Sequence, residues 1–187
     1  MTKQFKVAMI IGPDKYQDTE FNTPYTYLTK NNVQVDVFST KKGSAKGVFG
    51  MEFNVEHVLD ELDVGVYDAI TFVGGPGTKT IRDDNNSTFI SKTAFKENKI
   101  LAAICWSPTI LAKAGVLKGK KATVWLGIDP EFDMRTSVYI EKKGAKYTGA
   151  DVTIDGNIIT ANGPLAAQKY AEEILKKLNE KYEKIKK

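Results

Sequence analysis

Short, almost unbroken apolar runs alternate along this chain with longer segments of mixed polarity. Residues 5–11 (FKVAMII) are nearly all apolar, the pattern of a strand buried on both faces. The run stops at Gly12-Pro13-Asp14, a turn signal. A helical segment holding Tyr25, Tyr27 and Leu28 follows. It starts either at Pro24 with Thr23 as cap, or near Thr19 with a bend at Pro24. Residues 33–39 (VQVDVFS) alternate apolar and polar positions, as a strand with one more exposed face does. The Lys- and Gly-rich stretch 40–50 reads as a loop. Residues 69–73 (AITFV) and 100–105 (ILAAIC) are further buried strands, with a helix predicted over 87–97 between them. The first of these strands closes on Gly74-Gly75-Pro76-Gly77. Pro108 opens a helix that runs to Ala114 and ends at a left-handed Gly115. Asp155-Gly156 between two β-prone runs predicts a hairpin over 152–160. Ala166, Ala167, Tyr170, Ala171, Ile174, Leu175 and Leu178 recur at helical spacing and predict an amphipathic helix over about 165–181.

Strands separated by helices imply an α/β fold: a mainly parallel sheet covered on both faces, with the hairpin as a local antiparallel addition. No repeat, long linker or low-complexity tract divides the 187 residues, so a single domain is expected. In such sheets ligands bind beyond the carboxyl ends of the strands. The loop after the first strand, the Gly74–Gly77 loop and Cys105 are expected to meet there.

Composition narrows the chemistry. One Cys and one His exclude an intrachain disulfide, a Cys-rich zinc site and any multi-His metal site. No dinucleotide or phosphate-loop fingerprint is present, so no cofactor and no metal are expected. The net charge of +4 sits in residues 176–187, which hold six Lys and two Glu. The remainder is balanced, and the basic end reads as the solvated face of a terminal helix rather than a nucleic-acid surface. No apolar run is long enough to span a bilayer and no signal-peptide pattern opens the chain. A cytoplasmic protein without membrane or nucleic-acid partners is therefore expected. Cys105 ends an apolar strand and precedes Trp106-Ser107-Pro108. A strand–turn–helix corner of this kind presents a nucleophile and aims backbone N–H groups at a developing negative charge, and the helix end is expected to lower the thiol pKa.

The run 102–119, AAICWSPTILAKAGVLKG, resembles the nucleophile-elbow region of the DJ-1/ThiJ/PfpI superfamily, whose fold is that of class I glutamine amidotransferases. Gln17-Asp18-Thr19-Glu20 with Pro24 is similar to its acidic stretch, the strand ending in Gly74-Gly75 to its glycine loop, and residues 155–164 to its closing hairpin and last helix. The resemblance implies a flavodoxin-like three-layer sandwich, usually in a homodimer or higher homo-oligomer. It implies Cys105 as nucleophile or redox centre, Glu20 as the carboxyl group touching it, and the N–H groups of Gly75 and Trp106 as an oxyanion pocket. Gly74, Ser107 and Trp125 would line the site.

Two departures from the family pattern matter. Peptidase-type members have His directly after the Cys, where this chain has Trp106; other members place a His on the strand after the elbow helix, and the matching stretch here is Thr123-Val124-Trp125. His57 lies away from the three loops. A peptidase or amidase loses its proton shuttle for an amine leaving group. The resemblance then implies a Cys-dependent glyoxalase- or deglycase-type enzyme on small carbonyl compounds. The alternative is a non-enzymatic oxidative-stress sensor or chaperone-like protein acting through oxidation of Cys105.

Overall fold

A computed structural model describes residues 4–185. Seven strands form the central sheet: β1 (Lys6–Ile10), β2 (Gln34–Ser39), β3 (His57–Val58), β4 (Ala69–Phe72), β5 (Ile100–Ile104), β6 (Val152–Asp155) and β7 (Ile158–Ala161). Their order across the sheet is β6-β7-β5-β4-β1-β2-β3, and every neighbouring pair is parallel except β6 with β7. The near-continuous apolar runs therefore occupy the middle of the sheet, where both faces are covered. The hairpin is the antiparallel addition at one edge.

Six helices flank the sheet: α1 (Asp18–Lys30), α2 (Thr78–Asp83), α3 (Asn85–Lys96), α4 (Pro108–Lys113), α5 (Thr136–Lys142) and α6 (Ala167–Ile185). Alternation along the strands divides the core in two. Val7 and Met9 of β1 pack with Phe21 and Leu28 of α1 and Tyr170 and Ile174 of α6. Ala8 and Ile10 pack with Ile81 of α2, Ile90 of α3, Ile110 of α4 and Ile140 of α5. The result is a three-layer sandwich in the flavodoxin-like order.

Some boundaries differ from those expected. Helix α1 begins at Asp18 and carries Pro24 in its interior, so the reading with an early start is the one realised. Gln17 replaces Thr as the cap: its side-chain carbonyl accepts the Glu20 N–H at 2.9 Å. The helix expected over 87–97 starts two residues earlier, and α2 precedes it in a stretch for which no element was expected. The terminal helix opens with a 3-10 turn at Pro164–Ala166 and runs on to Ile185. Part of the basic end, Lys186 and Lys187, lies outside the described residues. Gly115 follows α4 at φ +79°, the left-handed stop expected of it.

The stretch 40–50 is not all loop. Gly43–Gly47 pairs antiparallel with Glu52–Val55 and parallel with Asp14–Tyr16 in a small three-stranded sheet. Local propensity hides this strand, because Gly-Ser-Ala-Lys-Gly has no β-branched residue and gains its conformation from its partners. The Asp18 carboxylate holds the tip, accepting the N–H groups of Phe49 and Met51 at 2.9 Å each. Beyond α4, a two-residue strand, Lys121–Ala122, pairs with Lys146–Tyr147, and the stretch 123–125 continues without strand pairing.

Candidate active site at the Cys105 elbow

The parallel sheet directs the ends of β1, β4 and β5 to one edge, and the chain turns sharply at each. After β5, Cys105 takes φ +63°, a conformation costly for a residue with a side chain. Two backbone hydrogen bonds hold it there. The Cys105 N–H donates to the Ala161 carbonyl at 2.8 Å, and the Trp125 N–H donates to the Cys105 carbonyl at 2.9 Å. Cys105 is thus fixed at the corner, 7% exposed.

The glycine loop after β4 comes up against it. Built onto Gly74, a Cβ would sit 2.5 Å from both the Cys105 Cβ and Glu20 Oε2, so this position must be glycine for thiol and carboxyl to meet. Gly75 turns at φ +104°, and its N–H and that of Trp106 lie near enough to the Cys105 sulfur to lower the thiol pKa. Two side chains lock the corner. Ser107 Oγ donates to the Val73 carbonyl at 2.6 Å, tying the elbow to the end of β4. The Gln17 N–H donates to the Gly74 carbonyl at 2.9 Å while its side chain caps α1. Gln17 therefore connects the glycine loop to the helix turn that delivers Glu20.

Glu20 is fully buried. Burial pushes its carboxyl up to about 8. The Cys105 thiol and the Gly74 backbone pull the other way, but only weakly: neither Glu20 oxygen has a well-formed hydrogen-bond partner among the described residues. Such a group is neutral at pH 7, with an O–H to give to a sulfur anion. The Cys105 thiol is also pushed up, first by burial and then by the Glu20 charge beside it, while the Gly75 and Trp106 N–H groups pull it down. This reverses the direction expected from the helix end. Helix α4 begins three residues beyond the sulfur and spans only six, so its field is weaker than the desolvation.

Trp106 and Trp125 pack with the cluster that holds Cys105. Their rings meet at 5.0 Å between centroids and 58° between planes. The indole N–H of Trp106 is buried without an acceptor among the described residues. His57 lies on the edge strand β3, 47% exposed, with Nδ1 4.0 Å from a Glu61 oxygen. Four strand positions separate β3 from β5, roughly 19 Å at the usual strand spacing, so the imidazole does not reach the sulfur. Among the described residues, no cluster of His, Cys, Asp and Glu could hold a metal ion, and no helix is long and apolar enough to cross a membrane.

A buried ion cluster beside the elbow was not visible in the sequence. Arg82 Nη1 donates to Asp129 Oδ2 at 2.6 Å and to Thr109 Oγ1 at 3.0 Å, and Arg82 Nη2 to Glu131 Oε2 at 2.5 Å. The partners lie 27 to 49 residues away from Arg82, and no periodicity announces such a meeting.

The DJ-1/PfpI family profile matches residues 5–177. An uncharacterised protein of Methanocaldococcus jannaschii is 37% identical over 182 residues, covering 97% of this chain and 86% of that one. A protein named deglycase from Thermococcus kodakarensis is 30% identical over 171 residues, covering 91% and 98%. Among solved structures, a ThiJ/PfpI domain protein from Brachyspira murdochii superposes with a TM-score of 0.86 at 26% identity, covering 96% and 99% of the two chains. Fold, glycine loop and elbow thus agree with a match along nearly the whole length: the chain belongs to the DJ-1/PfpI family.

Proposed function

We propose that this protein is a cysteine-dependent enzyme on small carbonyl compounds, of the glyoxalase or deglycase type. The observation that carries the reading is the meeting of the buried Glu20 carboxyl with Cys105 across Gly74, beside the backbone N–H groups of Gly75 and Trp106. Related archaeal proteins bear the name deglycase at 30% and 28% identity, which supports the same class.

In the proposed reaction the Cys105 sulfur bonds to the aldehyde carbon of a 2-oxoaldehyde. The carbonyl electron pair moves to oxygen, held by the Gly75 and Trp106 N–H groups. The ionised fraction of Glu20, which a pKa near 8 leaves available at neutral pH, takes the thiol proton and passes it to that oxygen, giving a hemithioacetal. Glu20, a carboxylate again, then takes the proton from the same carbon and returns it to the neighbouring one, while the hydroxyl proton passes from the first oxygen to the second, leaving a thioester. Water releases a 2-hydroxy acid and restores the thiol. One molecule of water is consumed and no external oxidant or reductant is needed. A thiol of raised pKa suits this order of events, because it loses its proton as the substrate arrives.

The oxidation-sensor reading has less support. Sensor thiols are exposed and of low pKa, and Cys105 is 7% exposed with its thiol pushed up. Peptide hydrolysis lacks an imidazole next to the sulfur. Purified protein incubated with methylglyoxal is expected to form lactate, and the Cys105→Ala variant none. Lactate no higher than in that variant would refute the enzyme.

A further inference from the structure

Trp106 bounds one cavity and Trp125 another, and the two linings differ in kind. The smaller, about 110 Å³, is bounded by Trp106, Pro76 and the charged groups of Lys79, Arg82, Asp129 and Glu131, which are already paired with one another. The larger, about 310 Å³, is bounded by Trp125, Leu126, Tyr147, Asn162, Pro164 and Leu165, and none of the residues lining it is charged.

The larger cavity has two lining residues that are tied to the backbone of the elbow. Its wall residue Trp125 donates its backbone N–H to the Cys105 carbonyl, and Asn162 follows Ala161, whose carbonyl accepts the Cys105 N–H. The Trp125 ring is fixed from behind: it fills the space above Gly127, where a Cβ would collide with it, and rests on Trp106. A cavity of about 150 Å³ accommodates benzene, so this one has room for a ring and the two carbons of a dicarbonyl. An uncharged aromatic wall gains from burying an aryl group in edge or offset contact. Its polar side chains are those of Tyr147 and Asn162, so a charged substituent finds no counter-charge there.

Resting on the carbonyl-enzyme reading, we infer that this cleft is the substituent subsite of the thiol centre and that it selects aryl-bearing 2-oxoaldehydes. The sulfur adds to the aldehyde carbon and the aryl ring occupies the cleft between Trp125 and Tyr147. Phenylglyoxal and one water give mandelate by the same proton transfers.

Trp106 and Trp125 are the only tryptophans in the chain, so intrinsic tryptophan fluorescence reports on this pair, and the Tyr147 and Leu126 variants below assign a change to the larger cavity. In Cys105→Ser protein, 2-hydroxyacetophenone is expected to produce a saturable change, after correction for inner-filter absorption. Its affinity is expected to exceed that of hydroxyacetone, its methyl counterpart, by about tenfold or more. Tyr147→Ala and Leu126→Ser, the latter at an exposed position that leaves the core untouched, are each expected to weaken the aryl ketone about fivefold. Equal affinity for the two ketones, or aryl affinity unchanged in Leu126→Ser, would overturn the subsite. Turnover separates it from the reading on which it rests. Methylglyoxal consumed with no gain in kcat/KM for phenylglyoxal removes the subsite and leaves the enzyme. Selective aryl binding with neither aldehyde consumed leaves the subsite and removes the enzyme.

Discussion

Glu20 shows how far one residue's surroundings can depart from its usual chemistry. Its carboxyl titrates near 8 in the folded chain against 4.5 ordinarily, because burial disfavours the charge. The sign for stability follows from which state holds the proton. Below pH 4.5 the group is protonated folded and unfolded, and its contribution is constant. Between 4.5 and 8 the unfolded chain ionises while the folded one does not, so stability falls as pH rises, by roughly 3 kcal/mol at pH 7. Glu20→Gln removes this dependence. Urea midpoints from pH 5 to 8 are expected to fall more steeply in the wild type than in the variant, and parallel curves would contradict the buried acid. Alkylation of Cys105 by iodoacetamide provides a second check. Above pH 8, where Glu20 carries the charge that pushes the thiol up, Glu20→Gln is expected to react faster, its profile displaced to lower pH. An unchanged profile would separate Glu20 from the sulfur. The elbow made Cys105 legible in the sequence, while Glu20 was singled out only through the resemblance of its acidic stretch to the family pattern. The direction of the thiol shift was not, because desolvation depends on what the chain later packs around the sulfur.

At the level of elements, the candidate site is a junction of three turns held by side chains that have no part in the proposed chemistry. Ser107 bridges the elbow to the end of β4 at 2.6 Å, with Thr78 Oγ1 of α2 at 3.4 Å from the same hydroxyl. Ser107→Ala leaves the buried Val73 carbonyl without that donor, at a cost of about 1–2 kcal/mol. It also loosens the alignment of the Gly75 and Trp106 N–H groups on the sulfur. The thiol is then expected to titrate higher and alkylate more slowly at a given pH, with partial rescue in Ser107→Thr, which restores the hydroxyl. A change in stability with no change in the alkylation profile would make Ser107 a packing residue only. Which elements the sequence revealed follows from where each draws its stability. β1, β4 and β5 are legible because a strand buried on both faces must be apolar throughout. Gly43–Gly47 is illegible because its partners, not its residues, make it a strand. Helix α2 spans only six residues, too few to show an apolar stripe of its own beside the glycine loop.

Across the whole molecule, the Arg82 cluster joins segments that the topology alone leaves separate. Arg82 on α2 binds Thr109 on α4, whose hydroxyl lies 2.7 Å from the Trp106 carbonyl, and it binds Asp129 and Glu131 in the segment leading to α5. That segment returns to the aromatic wall, since Thr136 at the start of α5 donates to the Trp125 carbonyl. Phe132 completes the enclosure, with the guanidinium 4.4 Å from its ring centre. Burial works against the Arg82 charge, but the hydrogen bonds of Asp129 and Glu131 outweigh it and raise its pKa. Removing one member should therefore cost more than removing the pair. Arg82→Ala leaves the Asp129 carboxylate buried without its partner and is expected to lose about 3–5 kcal/mol, roughly 10 °C in Tm. Arg82→Met combined with Asp129→Leu replaces the ion pair with apolar volume and is expected to recover most of that loss, Glu131 turning to solvent. Thermal melts of the three proteins decide the matter, with tryptophan emission followed alongside because Trp125 hangs from the same segment. A double variant as unstable as Arg82→Ala would show that the cluster acts through the shape of the guanidinium rather than through the balance of its charges.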